Sequence, residues 1–336
     1  MSYCCSILQS CIEEFENFAG YQEILECLLQ PLLPAAKAEN AAAYRLCGTV
    51  LRRVAATIQA PISTFINKIL LDSDDNEEGG TELEQHVYFI IFELHKIAPS
   101  LLTRIIPTIC QHMAIESETA RLQCVKLMGK LFSSQLADYA QEFSRGFREF
   151  LGRWKDKSVA VRAEVVDCCA AILTKKPTLR KNIEGNRSSI FERKVKLFQS
   201  GFAEPLVFLL RDAEGEIRLS VLEKLLEVVL MDPHVLSDKS IEEIKERATD
   251  KRFEIRRTVL LGLAKIYNKY ISLSLPPLSA VYTQDKDRGK DKGERGLLDN
   301  VDEILLNRFQ FVPETIIKSW GVRDIVSRHL VIQVEF

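Results

Sequence analysis

The cysteine and histidine side chains are the groups of this sequence that could hold a metal ion or act as nucleophiles. The 336 residues include nine cysteines and five histidines. No two cysteines form a CxxC pair, and Cys110 and His112 have no second pair beside them to complete a zinc site. Cys47, Cys124 and Cys169 fall at apolar positions of predicted helices, where a reduced thiol acts as a small hydrophobic group. The sequence therefore predicts core cysteines in a reducing compartment and no metal centre.

Catalytic motifs are missing from the sequence. It contains no glycine-rich phosphate loop, no GxSxG nucleophile elbow and no HExxH zinc motif. Neighbouring carboxylates such as Glu242 and Glu243 lie on polar faces of predicted helices, where they are usually solvated. We therefore predict a protein that is not an enzyme and that needs no cofactor. The net charge of −2 gives no general attraction to nucleic acid or to an anionic membrane.

One small pattern of acidic and basic residues occurs three times. An aspartate is followed by an apolar residue five positions later and by an arginine six positions later. The aspartate can accept hydrogen bonds from backbone N–H groups of a turn, and the arginine can pair with it or with the aspartate of the next repeat. The pattern therefore predicts a structural ladder rather than a ligand site. Its members are Asp156 with Arg162, Asp212 with Arg218, and Asp250 with Arg256.

The ladder is in phase with a helical apolar stripe. From each reference position, apolar residues follow at +3, +4, +7 and +10, which is one face of an α-helix. Successive reference positions are about forty residues apart, with one longer interval, as in HEAT and armadillo arrays. The sequence therefore predicts an all-α fold, a HEAT/armadillo-like α-solenoid of stacked antiparallel helix pairs. The reference positions are Glu84, Arg121, Arg162, Arg218 and Arg256.

Composition and register divide the chain into three parts. Residues 1–270 are predicted to form the solenoid, with a basic insertion near 181–201 that does not fit the repeat. Residues 271–296 contain the run DKDRGKDKGERG, which is too polar to build a core and is predicted to be a flexible linker. Helical patterning returns over 297–336, which we interpret as further helices of a truncated solenoid because no polar cap follows them.

The region around the insertion has a local surplus of positive charge. Such a surface could contact nucleic-acid phosphates or an acidic partner. It has too few aromatic residues for a base-stacking platform, so a solvated insertion is the simpler interpretation. The candidate contact residues are Lys175, Lys176, Arg180, Lys181, Arg193, Lys194 and Lys196.

One repeat resembles a known family. The segment ATDKRFEIRRTVLLGLAKIYNKY, residues 248–270, is closely similar to a HEAT repeat of the sister chromatid cohesion proteins known as the "precocious dissociation of sisters" family. Residues 84–107, 120–132 and 147–162 are similar to other repeats of the family in the same order. The positions that carry the match are Asp250, Lys251, Arg252, Phe253, Arg256, Gly262, Leu263, Ala264, Tyr267 and Tyr270.

The resemblance implies a non-catalytic, cohesin-associated scaffold in the nucleus that regulates the maintenance and release of sister chromatid cohesion. The partners it implies are the kleisin subunit and ATPase heads of cohesin and a Wapl-type releasing factor, with chromatin reached through cohesin. Members of the family also bind inositol hexakisphosphate near their amino-terminal repeats. Arg52 and Arg53 match a basic pair there in position.

Two other interpretations remain open on the sequence alone. A general HEAT-repeat adaptor in transport or vesicle coats would bind peptides in the groove of the solenoid. A condensin-type chromatin solenoid would have a basic stripe along its concave face, and its binding would fall steeply with salt.

Overall fold

The computed structural model describes residues 18–72, 81–175, 206–234, 236–271 and 303–320, together with Ser6 and Ser10. Within these ranges the regular structure consists of α-helices and short 3-10 turns, and no β-strand occurs. The chain forms two compact units, Met1–Lys176 and Pro177–Phe336. The predicted basic insertion at 181–201 and all but the first residue of the predicted linker at 271–296 lie outside the described residues.

The first unit is built from a long central helix followed by shorter helix pairs. A capping box begins α4, because Thr81 accepts from the Glu84 N–H and the Glu84 carboxylate accepts from the Thr81 N–H. Ser117 caps α7 by accepting a hydrogen bond from the Ala120 N–H. The helices are α1 (Phe18–Leu29), α2 (Pro34–Glu39), α3 (Ala41–Asp72), α4 (Glu82–Gln85), α5 (Val87–Ile97), α6 (Ile106–His112), α7 (Glu118–Phe132), α8 (Tyr139–Glu142), α9 (Ser144–Gly152) and α10 (Val159–Lys175).

The second unit contains five described helices. Ser237 caps α12 by accepting a hydrogen bond from the Ser240 N–H. Helix α13 packs along α11 on one side and against α15 on the other. The helices are α11 (Gly215–Met231), α12 (Asp238–Glu246), α13 (Phe253–Tyr270), α14 (Glu303–Phe309) and α15 (Phe311–Trp320).

Helix α3 is unusual in its length, because it runs through Pro61 and has 32 residues. By length and composition alone it could cross a membrane, and it is the one such helix found in the described part of the chain. Its apolar residues Leu51, Ile58 and Ile62 are fully buried, and the helix packs against α1 and α5. These contacts are those of a core helix of the first unit.

The apolar stripe predicted from the ladder register forms the core of both units. Its members are at most 2% exposed, apart from Tyr88, which is half-buried. Burying each of these side chains contributes roughly 1.5–3 kcal/mol relative to leaving it in water. Together with the helix pairs, this burial confirms the predicted all-α solenoid. The buried stripe includes Cys124, Val125, Met128 and Leu131 in α7, Val165, Val166, Cys169 and Ile172 in α10, Val221, Leu222, Leu225 and Val228 in α11, and Val259, Leu260, Leu263 and Ile266 in α13.

Close helix contacts depend on two glycines. Helices α7 and α10 meet at Gly129, where a Cβ atom would overlap the Cys168 thiol. Helices α11 and α13 meet at Gly262, where a Cβ atom would overlap the side chain of Leu226. Each glycine therefore allows neighbouring inner helices of its unit to approach closely.

Candidate functional site

The first unit contains a buried arginine–aspartate pair that joins one repeat to the next. The Arg121 Nε donates to Asp156 Oδ2 at 3.1 Å and Nη2 donates to Oδ1 at 3.1 Å, which is a bidentate geometry. Both side chains are only 3% exposed. The Nη1 atom donates to the carbonyl oxygens of Ile115 at 2.9 Å and Glu116 at 2.7 Å, in the turn before α7. All three guanidinium nitrogens are therefore engaged within the protein.

The aspartate of this pair has further partners. Its Oδ1 accepts a hydrogen bond from the Ser158 N–H at 2.9 Å, and Arg153 Nη1 lies 3.6 Å from Oδ2. Arg153 also donates to the carbonyl of Met113 at 3.0 Å. Burial alone would raise the pKa of the Asp156 carboxyl, but the hydrogen bonds from Arg121 and Ser158 and the two arginine charges hold that pKa below its usual value.

The second unit contains the same pair in nearly the same geometry. Arg218 Nε donates to Asp250 Oδ2 at 3.0 Å, and Nη2 donates to Oδ1 at 3.1 Å. Its Nη1 donates to two carbonyls of the preceding turn, Asp212 at 2.8 Å and Ala213 at 3.0 Å. The side chains are 12% and 4% exposed, so this pair is less deeply buried than the first. Burial opposes ionisation of Asp250, and the Arg218 hydrogen bonds still lower its pKa.

The remaining ladder residues also bond to backbone atoms of their own turns. Arg162 Nη1 donates to the Asp156 carbonyl at 2.9 Å, and Arg256 Nη1 donates to the Asp250 carbonyl at 2.8 Å. The Asp212 carboxylate accepts from the Glu214 N–H at 2.9 Å. Each aspartate thus stabilises its own turn. The Arg121–Asp156 and Arg218–Asp250 pairs connect consecutive repeats.

Two further arginines, Arg153 and Arg247, belong to the ladder and were not predicted from the repeat pattern. Arg247 Nη1 lies 3.7 Å from Asp250 Oδ2 and donates to the Leu210 carbonyl at 3.1 Å. Arg153 makes the equivalent contacts with Asp156 and with the Met113 carbonyl in the first unit. The signal was present, because an arginine stands three residues before the aspartate in both turns. The Nε, Nη1 and Nη2 atoms of Arg121 and of Arg218 are all engaged within the protein, so these two enclosed pairs fix the register of the repeats.

A second buried carboxylate joins α2, α3 and α5. The Glu93 side chain is 1% exposed and receives Lys37 Nζ at 2.9 Å, the Tyr44 hydroxyl at 2.7 Å and Lys96 Nζ at 2.8 Å. Burial disfavours its charged form, but these three donors lower the pKa of Glu93 below its usual value. Burial and the bond to Glu93 raise the pKa of Tyr44 to about 12. The carboxylate is therefore ionised and neutralised by two lysines at neutral pH.

Helix α5 also carries a buried histidine, His95. His95 Nε2 is 2.7 Å from Ser134 Oγ, and Nδ1 is 3.3 Å from the Tyr139 hydroxyl oxygen. The Tyr139 hydroxyl donates its proton to the Pro99 carbonyl at 2.8 Å. Nδ1 therefore donates to Tyr139, and in the neutral imidazole that burial favours, Nε2 accepts from Ser134. Burial, with the nearby Lys96 charge, lowers the pKa of His95.

Of the six cysteines in the described residues, five are buried and Cys27 is exposed. Burial raises the pKa of Cys110 to about 11, and that of Cys47 and of Cys169 to about 12. A thiol with such a pKa is almost wholly protonated at neutral pH. Within the described ranges, no three His, Cys, Asp or Glu side chains come close enough together to hold a metal ion.

The two predicted basic contacts fall in different places. Arg52 and Arg53 are exposed neighbours on α3, and Arg52 Nε donates to the Ile97 carbonyl at 3.2 Å. Lys175 is the last residue of α10, and its side chain is not described. The other members of the basic set, Lys176, Arg180, Lys181, Arg193, Lys194 and Lys196, lie outside the described residues. Both anion-binding assignments stay predictions.

The chain was compared with known proteins in sequence and in structure. A family model described as sister chromatid cohesion protein PDS5 matches residues 1–334. Sister chromatid cohesion protein PDS5 homolog A of Danio rerio is 30% identical over 249 residues, which is 74% of this chain and 17% of that protein. PDS5 homolog B of Homo sapiens is 29% identical over 249 residues, which is 74% of this chain and 16% of that protein. The chain thus matches less than a fifth of the length of these relatives.

The structural comparison agrees with the sequence comparisons. A chain of the solved structure named "Structure of the Pds5-Scc1 complex and implications for cohesin function" matches with a TM-score of 0.70 and 14% identity. The match covers 98% of this chain and 46% of that chain. At this identity the likeness supports the fold. With the family match extending over nearly all of its residues, this chain belongs to the PDS5 family of sister chromatid cohesion proteins.

Proposed function

We propose that this chain is a helical-repeat module of a cohesin-associated regulator of sister chromatid cohesion. The observation that carries the proposal is the PDS5 family match over residues 1–334. The described polar clusters support a scaffold role, because they are enclosed and hold helices together. Membership of this family and a solenoid without a described catalytic constellation favour a protein that acts through contacts and not through catalysis.

The kleisin subunit of cohesin is the first partner that we propose. Its support is the solved relative, whose name describes a complex of Pds5 with Scc1. Through the kleisin, the chain would come close to the ATPase heads of cohesin. A Wapl-type releasing factor is the second partner that the family resemblance implies. Contacts with both would let the protein take part in the maintenance and in the release of cohesion, and would place it on chromatin in the nucleus.

The test is to tag the protein at its own locus and to identify what co-purifies from nuclear extract. We expect cohesin ATPase and kleisin subunits, with an untagged strain processed in parallel as the control. Mixing the purified chain with recombinant kleisin then checks whether the contact is direct. Recovery of transport receptors or coat proteins without cohesin would contradict the proposal and favour a general adaptor. Recovery of condensin subunits alone would favour the condensin-type interpretation.

A further inference from the structure

A groove lies between α11 and α13 in the second unit. Its volume is about 380 Å³, which is at the lower end of the usual range for ligand pockets. Leu219 and Ser220 of α11 and Ile255 of α13 line it, and Ile255 is fully buried while the other two are half-buried. The groove therefore offers an apolar floor of a size that suits one or two side chains of a partner.

Three glutamates surround this floor. Glu216 and Glu223 lie on α11 and Glu254 lies in the first turn of α13. All three are exposed. Within the described part of the chain none of them forms a salt bridge, in contrast to Glu243, which Arg211 holds at 2.6 Å. Their negative charges are therefore available to a partner.

One cation also lines the groove, and it is held at one end. The Arg252 side chain lies across Gly215 at the start of α11, where a Cβ atom would overlap its guanidinium. Its backbone N–H donates to Asp250 Oδ1 at 3.0 Å, so the residue is anchored in the ladder turn. With three carboxylates against one guanidinium, the groove is negative overall, and it would repel an acidic segment.

We propose that this groove docks a basic segment of a partner protein, with an apolar side chain seated between α11 and α13. Lysine or arginine residues on both sides of that apolar side chain would pair with the three glutamates. An apolar anchor surrounded by charges is a common mode of peptide recognition on helical surfaces, because burial supplies affinity and the charges supply specificity. The proposal does not depend on kleisin binding, since it rests on the groove alone.

Binding of a defined peptide to the full chain tests the proposal. The probe is a short fluorescein-labelled peptide, KRLKRLKRL, and its counterpart has glutamate at every basic position. Fluorescence anisotropy should show binding of the basic peptide that weakens as salt is raised, and no binding of the acidic one. Glu223→Lys should weaken binding by about tenfold, because an attraction becomes a repulsion.

Two matched pairs of variants distinguish the groove from general charge. Glu227 is exposed on α11 one turn beyond Glu223 and does not line the groove, so Glu227→Lys should bind the peptide as the unchanged chain does. Ser220→Trp fills the groove without altering its charge and should also weaken binding, whereas Ser220→Ala should not. Thermal melting by circular dichroism shows that each variant is folded.

Three results would overturn the proposal. Equal weakening by Glu223→Lys and Glu227→Lys would mean that the peptide follows surface charge alone. Unchanged binding in Ser220→Trp would place the peptide elsewhere. Binding that appears only after the lysines and arginines of residues 175–196 are neutralised would assign the groove to this chain's own basic segment and not to a partner.

Discussion

The two arginine–aspartate pairs have the same hydrogen bonds but different surroundings. In both units the Nε and Nη2 atoms of an arginine bind one carboxylate at 3.0–3.1 Å, and Nη1 binds two carbonyls of the preceding turn. The Arg121–Asp156 side chains are each 3% exposed, whereas those of Arg218 and Asp250 are 12% and 4% exposed. The sequence of the turn therefore sets the geometry of the pair, and the packing of neighbouring helices sets its burial.

Burial decides what each pair contributes to stability. A charge taken out of water needs its partner, so the loss of one member leaves an uncompensated charge in the interior. Water can approach the second pair from the side of Arg218, which is 12% exposed, and can partly solvate the Asp250 charge that remains. The first unit should therefore depend more strongly on its arginine than the second unit does, although the bonds are alike.

Replacement of the two arginines by methionine should give the largest difference between the units. Arg121→Met leaves Asp156 buried without its main partner and should lower the free energy of unfolding of the first unit by about 3–5 kcal/mol. Arg218→Met should lower that of the second unit by about 1.5–3 kcal/mol, the range for a hydrogen bond to a charged group. For the first unit, urea unfolding can be followed by Trp154 fluorescence in a chain that carries Trp320→Phe. For the second unit, it can be followed by Trp320 fluorescence in a chain that carries Trp154→Phe.

The control for this comparison removes both charges of the first pair. Arg121→Met combined with Asp156→Leu should regain part of the lost stability, because no buried charge is left behind although the Ser158 N–H loses its acceptor. Equal losses for the two single variants would mean that the difference in burial has no energetic consequence. A double variant as unstable as Arg121→Met would mean that the hydrogen bonds to the turn carbonyls, and not the ion pair, carry the effect.

The ladder also shows how much of the structure can be predicted from local sequence. The recurring aspartate and arginine, in phase with an apolar stripe, were enough to predict helices, register and a stacked solenoid. The sequence left open which aspartate each arginine binds, because that depends on where the next repeat lies. The structure resolves this for Arg121 and Arg218, whose carboxylate partners belong to the following repeat.

Other contacts could not have been predicted from local patterns. Glu93 looks like an ordinary polar residue of an amphipathic helix, and its partners Lys37 and Tyr44 come from elements 56 and 49 residues away. The groove between α11 and α13 depends on how the two helices pack, which the spacing of exposed glutamates does not reveal. Side chains brought together by tertiary packing leave no periodic signal in the sequence.

The two glycine contacts should differ in the same direction as the two ion pairs. Gly129→Ala places a methyl group against the Cys168 Sγ and Cβ atoms, which lie close to the α10 backbone and cannot move away. We expect the free energy of unfolding of the first unit to fall by about 1–3 kcal/mol. Gly262→Ala meets the terminal atoms of Leu226, which can rotate, so the second unit should lose less.

The matched control for the glycine substitutions is Gly152→Ala in α9. No atom lies within 4 Å of a Cβ placed there. This variant should be neutral or slightly more stable, by up to about 1 kcal/mol, because alanine favours the helix. Urea unfolding of the three variants measures all of these changes. A Gly262→Ala loss larger than that of Gly129→Ala would show that Leu226 is held more rigidly than its flexible side chain suggests.

The smallest expected effect is the pH dependence that His95 adds to the first unit. Its pKa in the folded chain is lowered by burial and by Lys96, whereas an unfolded histidine has a pKa of about 6.5. Above that value the His95 imidazole is neutral in both the folded and the unfolded chain, so its contribution to stability is fully present. As the pH falls below it, the unfolded chain binds a proton that the folded chain does not accept, so stability decreases. The Arg121–Asp156 pair is lost only at lower pH, since the Asp156 pKa lies below its usual value.

The variant that isolates this contribution is His95→Gln, which keeps a donor and an acceptor but does not titrate. Urea unfolding of the first unit between about pH 7 and pH 5 should show a shallower loss of stability than in the unchanged chain. At lower pH the Asp156 pair adds its own loss in both proteins, because unfolded aspartates, with a pKa of about 3.9, take up protons that the paired Asp156 resists. An unchanged slope between pH 7 and pH 5 would mean that His95 takes up its proton over the same pH range in the folded and in the unfolded chain, so that burial does not lower its pKa.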